Sequence, residues 1–204
     1  MDERIEQVRS YWFEPVPQTK DDLERRFDRW FNADPHLDAE IAERFGGLAA
    51  SAAGGELEHW SEVPQGRLAL ILLLDQVPRN LHRGTAAAFA QDAKALALTT
   101  EGIEAGADRA LPVLERAFFY MPLQHAETPD AQALSVRMFE ALRDDPSVPP
   151  EYAWALDSFA HYAVVHRDII ERFGRFPHRN RALGRTETEA ERRYLSDGGL
   201  RFGQ

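Results

Sequence analysis

The 204-residue chain reads as an all-α protein. Apolar residues recur three and four positions apart almost throughout, and no segment alternates with period two over a useful length. No run rich in β-branched residues lies between turn signals. The spacing predicts about eight helices in antiparallel hairpins, joined mostly by short loops. Length and composition fit a single domain over residues 1–204, with a substantial core.

Taken in order, Ile5, Val8 and Trp12 mark a first helix. Residues 14–36 are the least regular part. Pro15, Pro17 and Pro35 sit there among charges, Trp30 and Phe31, and the stretch suits a wrapping segment or a short helix. Leu37, Ile41, Phe45, Leu48 and Ala52 give the next helix, ended by Gly54-Gly55. Pro64 suits the first turn of a helix running through Leu68–Leu74 to about Gln76. Its apolar residues surround the circumference, so it should be central and buried. Thr85 is a candidate cap for a long helix with Phe89, Ala93, Leu96 and Ile103 on one face. Leu111, Leu114, Phe118 and Met121 form another, broken by Pro122. Thr128-Pro129-Asp130 opens a helix ending near Arg143. Pro150-Glu151 starts the clearest one, with Tyr152, Leu156, Phe159, Ala163, His166, Ile170 and Phe173 on one stripe. Thr186 and Glu189 have the spacing of a capping box for a last short helix.

Composition excludes several function classes. Against 24 basic residues stand 34 acidic ones, a formal charge of −10, which opposes nucleic acid and an anionic membrane surface. Without cysteine there are no disulfides, Cys-based zinc sites, iron–sulfur clusters or thiol catalysis. The longest apolar run, Leu68 to Leu74, is far too short to span a bilayer. The charged first dozen residues lack a signal core, so a cytoplasmic location is expected.

One pattern occurs twice. Residues 77–84 read V-P-R-N-L-H-R-G and residues 176–185 read F-P-H-R-N-R-A-L-G-R. Each has a proline, an Arg-Asn pair and a later glycine. Proline should stop a helix, and asparagine tolerates left-handed backbone. Such a corner would fix Arg79 or Arg179 in place, and a fixed guanidinium is a planar fork of donors for an anion. That anion is either an internal carboxylate or a ligand.

Other candidate groups lie nearby in sequence. Asp75 closes the buried helix, four residues before Arg79. It is either one half of an internal ion pair or a general base in a pocket. His166 sits on an apolar stripe, as a satisfied core histidine or an inward-facing acid or base. His125 and Glu127 follow Pro122 in an expected loop, as caps or as chemistry. No spacing matches a zinc or di-iron signature, so neither a metal nor another cofactor is expected. Phosphate loops and nucleophile elbows are also absent from the sequence.

Three separated stretches resemble one bacterial family, domain of unknown function 924. They are G-R-L-A-L-I-L-L-L-D-Q-V-P-R-N through R-G-T-A-A-A-F-A-Q-D, then F-Y-M-P-L-Q-H-A-E, then H-R-D-I-I-E-R-F-G-R-F-P-H-R-N-R-A-L-G-R. The resemblance covers nearly the whole chain and departs at Ala126, where serine is expected in many members. It implies a compact fold similar to tetratricopeptide-type helical arrays and does not imply an activity. Its motif positions here include Asp75, Arg79, Asn80, Tyr120, His125, Glu127, His166, His178, Arg179, Asn180 and Arg185.

Two readings follow. In the first, these residues converge on a pocket for a small anionic metabolite bearing phosphate or carboxylate. Asp75, His125 and His166 would serve in proton transfer there. Arg79, Asn80, Tyr120, Glu127, His178, Arg179, Asn180 and Arg185 would contact the ligand. In the second, the protein is an interaction module whose motif residues are architectural. A protein or peptide partner would lie in an exposed aromatic groove using Trp12, Trp30 or Trp60.

Overall fold

The computed structural model describes residues 2–203, and these contain ten α-helical segments and no strand. Helix α1 (Glu3–Phe13) is capped by Asp2. Helix α2 (Lys20–Phe31) resolves the irregular stretch in favour of a helix. A capping box of Thr19 and Asp22 opens it, and Phe27, Trp30 and Phe31 lie on it. Helix α3 (Pro35–Ala53) starts at the Asp34 cap and stops at Gly54.

Helix α4 (Pro64–Ile71) is the central element. Leu68 through Leu74 are each at most 2% exposed. The helix was expected to stop before Pro78, and it does not. Residues Leu72–Gln76 form a π turn that leads directly into α5 (Val77–Leu81). The Val77 amide donates to the Leu72 carbonyl, five residues back. Proline offers no amide proton, and its ring would press on the carbonyl four residues earlier. A wider turn removes that conflict and lets the helix continue.

Thr85 leads into a short 3-10 turn, Ala86–Phe89, rather than a long helix. Helix α6 (Asp92–Glu104) begins later and buries Ala95, Thr99 and Gly102 instead of the expected larger face. Small residues let it lie close against α7 (Val113–His125). A Cβ added to Gly102 would come within 2.5 Å of the Phe119 ring. Helix α7 also continues past Pro122, so His125 is its last residue and only Glu127 lies in the loop beyond.

Helices α8 (Pro129–Arg143) and α9 (Ala153–Phe173) pack on each other and on α7. Gly174, at φ 70°, ends α9 in the left-handed region that glycine adopts without strain. A 3-10 turn at Pro177–Arg179 follows. Helix α10 (Glu189–Ser196) opens on a capping box of Thr188 and Glu191, two residues beyond the expected pair.

The main apolar cluster extends from Ile5 to Ala163, a small one joins Leu23, Leu114, Tyr152 and Ala155, and another, around Ile169, Ile170 and Phe176, includes the start of the second Pro-Arg-Asn corner. Helix α4 touches α1, α6 and α7, so the molecule is built around a central helix. Trp12 and Trp60 are buried in this core and do not form an exposed groove; Trp30 is half-buried. No helix among the described residues is long and apolar enough to cross a membrane.

Candidate functional site

The π turn and α5 bring Asp75, Gln76, Arg79 and Asn80 to one side of α4. The last turn of α7 brings Gln124 and His125 there. One face of α9 supplies Phe159, Tyr162 and His166, spaced three and four apart. The second corner adds His178 and Arg179. Together these elements enclose a cavity of about 550 Å³, completed by aromatic residues of α2 and by residues 200–203. Arg79 and Arg179 therefore face the same space.

Asp75 lies behind this wall and is fully buried. Its Oδ1 is 2.7 Å from His125 Nδ1 and 3.2 Å from Arg79 Nη1, and its Oδ2 accepts from Gln76 Nε2. Burial alone would raise its pKa, but Arg79 and His125 prevail and hold it below the usual carboxylate range. The ionised carboxylate can only accept, so His125 carries its proton on Nδ1 and leaves Nε2 with a free lone pair. Burial and the Arg79 charge both push the His125 pKa down, which keeps the imidazole neutral.

Asp92 joins the two corners. Arg79 binds it through two parallel bonds of 2.9 and 3.0 Å, and Arg179 Nη1 reaches its Oδ2 at 3.2 Å. Arg79 also donates to the Asp75 carbonyl, and Arg179 donates to the His125 carbonyl at 3.0 Å. The Arg179 guanidinium lies between the rings of Phe89 and Phe176, 4.6 Å from each, a cation–π arrangement. Burial and the neighbouring Arg79 lower its pKa to about 10, so it remains charged at neutral pH. Its Nε is buried without a partner among the described residues.

His166 Nδ1 lies 2.7 Å from the Tyr162 carbonyl. A carbonyl only accepts, so Nδ1 bears the proton and Nε2 again keeps a lone pair. The ring stacks on Phe202 at 4.0 Å, and its centroid is 6.1 Å from that of His125. Burial first, then His125 and the arginines, lower its pKa to about 3. His178 falls to about 3 through burial and Arg179, and its Nδ1 is buried without a partner among the described residues. Among the described residues, no three His, Asp or Glu groups converge in a way that could hold a metal ion.

Four expected contact residues do not line the cavity. Tyr120 donates to Asp108 at 2.6 Å inside the core. Arg185 grips Glu127 at 2.7 and 3.1 Å, donates to Asn180 Oδ1 and to the Phe176 carbonyl, and so braces the second corner. Glu127 also accepts the Phe176 amide. Burial opposes its ionisation, but Arg185 and that amide hold its pKa below the ordinary value.

The sequence pattern marked none of Asp92, Gln124, Tyr162 and Phe202 as site residues, and gave Phe89 only a place on a helix face. Asp92 reads as an ordinary acid in the first turn of a helix. The only signal in its favour is its place at the end of the R-G-T-A-A-A-F-A-Q-D run.

Residues 8–199 match the family model described as a bacterial protein of unknown function, DUF924. The chain belongs to the DUF924 family. A solved structure of a protein of unknown function from Agrobacterium tumefaciens is similar, at 38% identity and a TM-score of 0.78. The match covers 96% of this chain and 98% of that one. No curated protein matches the sequence. The DUF924 match spans both Pro-Arg-Asn corners, and the Agrobacterium protein shares the all-helical fold that frames them.

Proposed function

We propose that this protein binds a small metabolite bearing a carboxylate or phosphate in the cavity between its two corners. The observation that carries the reading is the delivery of Arg79 and Arg179, a hundred residues apart in sequence, to one cavity wall. The two guanidinium groups share Asp92. Burial first, then the neighbouring cationic groups, hold His166 and His178 neutral in the cavity wall, so neither ring adds a competing charge beside the arginines. The unpartnered Arg179 Nε offers a further donor. Aromatic side chains of α2 and α9 suit the apolar body of such a ligand.

A thermal-shift panel of carboxylate- and phosphate-bearing metabolites tests the reading. A ligand at a hundred times its Kd should stabilise the fold by about 2.7 kcal/mol. That stabilisation should vanish in a folded Arg179→Gln variant. Saturable stabilisation of equal size in the variant, or none across the panel, would refute the proposal.

A further inference from the structure

We propose that His125 is the catalytic base of this cavity, that its Nε2 removes a proton from the bound ligand, and that Asp75 is the positioning residue that makes this possible. The proposal rests on the ligand-binding reading above and adds chemistry to it.

The argument begins with what each nitrogen can do. Nδ1 of His125 is committed to the buried Asp75 carboxylate at 2.7 Å, so only Nε2 is available to a ligand, and it is available as an acceptor. The ring is held from both ends. Asp75 fixes its plane, and Arg179 fixes its backbone by bonding the His125 carbonyl. A neutral, oriented imidazole opening into a cavity is the arrangement that general-base catalysis needs. The Nδ1 bond is the ring's only hydrogen bond among the described residues, so no hydroxyl of the protein is paired with Nε2. This removes the serine- or threonine-nucleophile role, in which the base would serve a side chain. The proton must come from the ligand.

The step balances within the site. A C–H or O–H bond of the ligand breaks and its electron pair stays on the ligand. An N–H bond forms at Nε2. The resulting imidazolium lies against the Asp75 carboxylate, and the negative charge left on the ligand lies beside Arg79 and Arg179. His166, with its own Nδ1 committed to the Tyr162 carbonyl, presents a second acceptor nitrogen 6.1 Å away, centroid to centroid. His166 is neutral and its one N–H is committed, so the proton taken by His125 is returned by His125 to another position of the same ligand or exchanges with solvent. The reaction class is therefore isomerisation by proton transfer, in which no group leaves the ligand.

Two measurements test this. The first needs no ligand. Long-range 1H–15N correlation spectra of the imidazoles at pH 7 should show His125 as the neutral Nδ1–H tautomer, and Asp75→Asn should shift it to Nε2–H. A wild-type ring protonated on Nε2 would overturn the proposal even if Asp75→Asn does not fold. The second incubates the protein with pooled carboxylate- and phosphate-bearing metabolites in 2H2O. Proton NMR and mass spectrometry then report deuterium at carbon or new products. A turned-over compound is expected, with the rate about a hundredfold lower or worse in His125→Gln. Asp75→Asn should show a comparable loss without loss of ligand-induced thermal stabilisation. No turnover by the wild type, or turnover that survives His125→Gln, would refute the catalytic role. Saturable stabilisation persisting in that case would leave the binding reading intact.

Discussion

The two Pro-Arg-Asn corners share a sequence pattern and differ in structure. At residues 77–84 the chain stays helical through the proline, because the π turn at Leu72–Gln76 absorbs the missing donor. At residues 176–185 the helix has already ended at Gly174, and Pro177 opens an isolated 3-10 turn. Neither asparagine adopts left-handed backbone. That role falls to Gly84 and Gly184, at φ 74° and 64°. Proline thus marks where a donor is missing, and the residues before it decide whether the helix ends. The arginines differ too. Arg79 is paired with two carboxylates, whereas Arg179 has one carboxylate, one carbonyl and two aromatic faces.

The comparison can be broken most forcefully with acid. His166 and His178, beside the second corner, have folded pKa values of about 3. In the unfolded chain each titrates near its ordinary value of about 6.5. The unfolded state therefore binds protons first as pH falls, and stability is lost between about pH 6.5 and 3, at up to about 1.4 kcal/mol per pH unit for each histidine. Urea denaturation at pH 7 and pH 5 should show the drop, and a folded His178→Leu variant should show a smaller one. An unchanged pH dependence would mean that His178 is not held neutral.

Arg79→Ala comes next. It leaves the fully buried Asp75 carboxylate without its arginine, while Asp92 keeps Arg179, and should cost about 3–5 kcal/mol. Arg179→Ala leaves Asp92 paired with Arg79 and removes a like-charge contact, so about 1–2 kcal/mol is expected. Equal losses in urea melts would show the two corners to be energetically alike. Arg185→Met, at a pair about a quarter exposed, should cost roughly 1 kcal/mol after discounting for solvent. The smallest effect should come from Gly84→Ala and Gly184→Ala, about 1 kcal/mol or less each, arising from left-handed backbone alone because no atom lies near the added Cβ. A marked difference between the two glycines would reveal a constraint beyond φ.

The helices were legible because their apolar stripes repeat. Leu37, Ile41 and Phe45, and Leu156, Phe159 and Ala163, all turned inward as their spacing predicts. The start of α6 was not legible, since Thr85 looks like a cap and its context decides otherwise. The pairing of Asp75 with Arg79 follows from their spacing of four. The link from Asp75 to His125 does not, because fifty residues separate them and tertiary packing alone joins them. Tyr120 and Arg185 carry the same chemical promise as Arg179 in sequence. Only the direction each side chain takes separates bracing from cavity wall.

The π turn has a consequence for how the central rod can vary. Successive residues of an α-helix are offset by about 100° around its axis. An extra residue taken up within one wider turn leaves everything after it in nearly the phase it would have without that residue. Upstream, the phase is fixed by the core around Leu68–Leu74; downstream, it is fixed by Arg79 and Asn80. Deleting one residue between Leu72 and Gln76 would leave composition and hydrophobicity nearly unchanged. The π turn would then relax to a regular α turn, Arg79 and Asn80 would keep nearly the same place around the axis, and the proline ring would press on the carbonyl four residues earlier. The π turn is the slack in the rod: it holds one more residue than a regular turn would, between two halves whose phases are fixed separately.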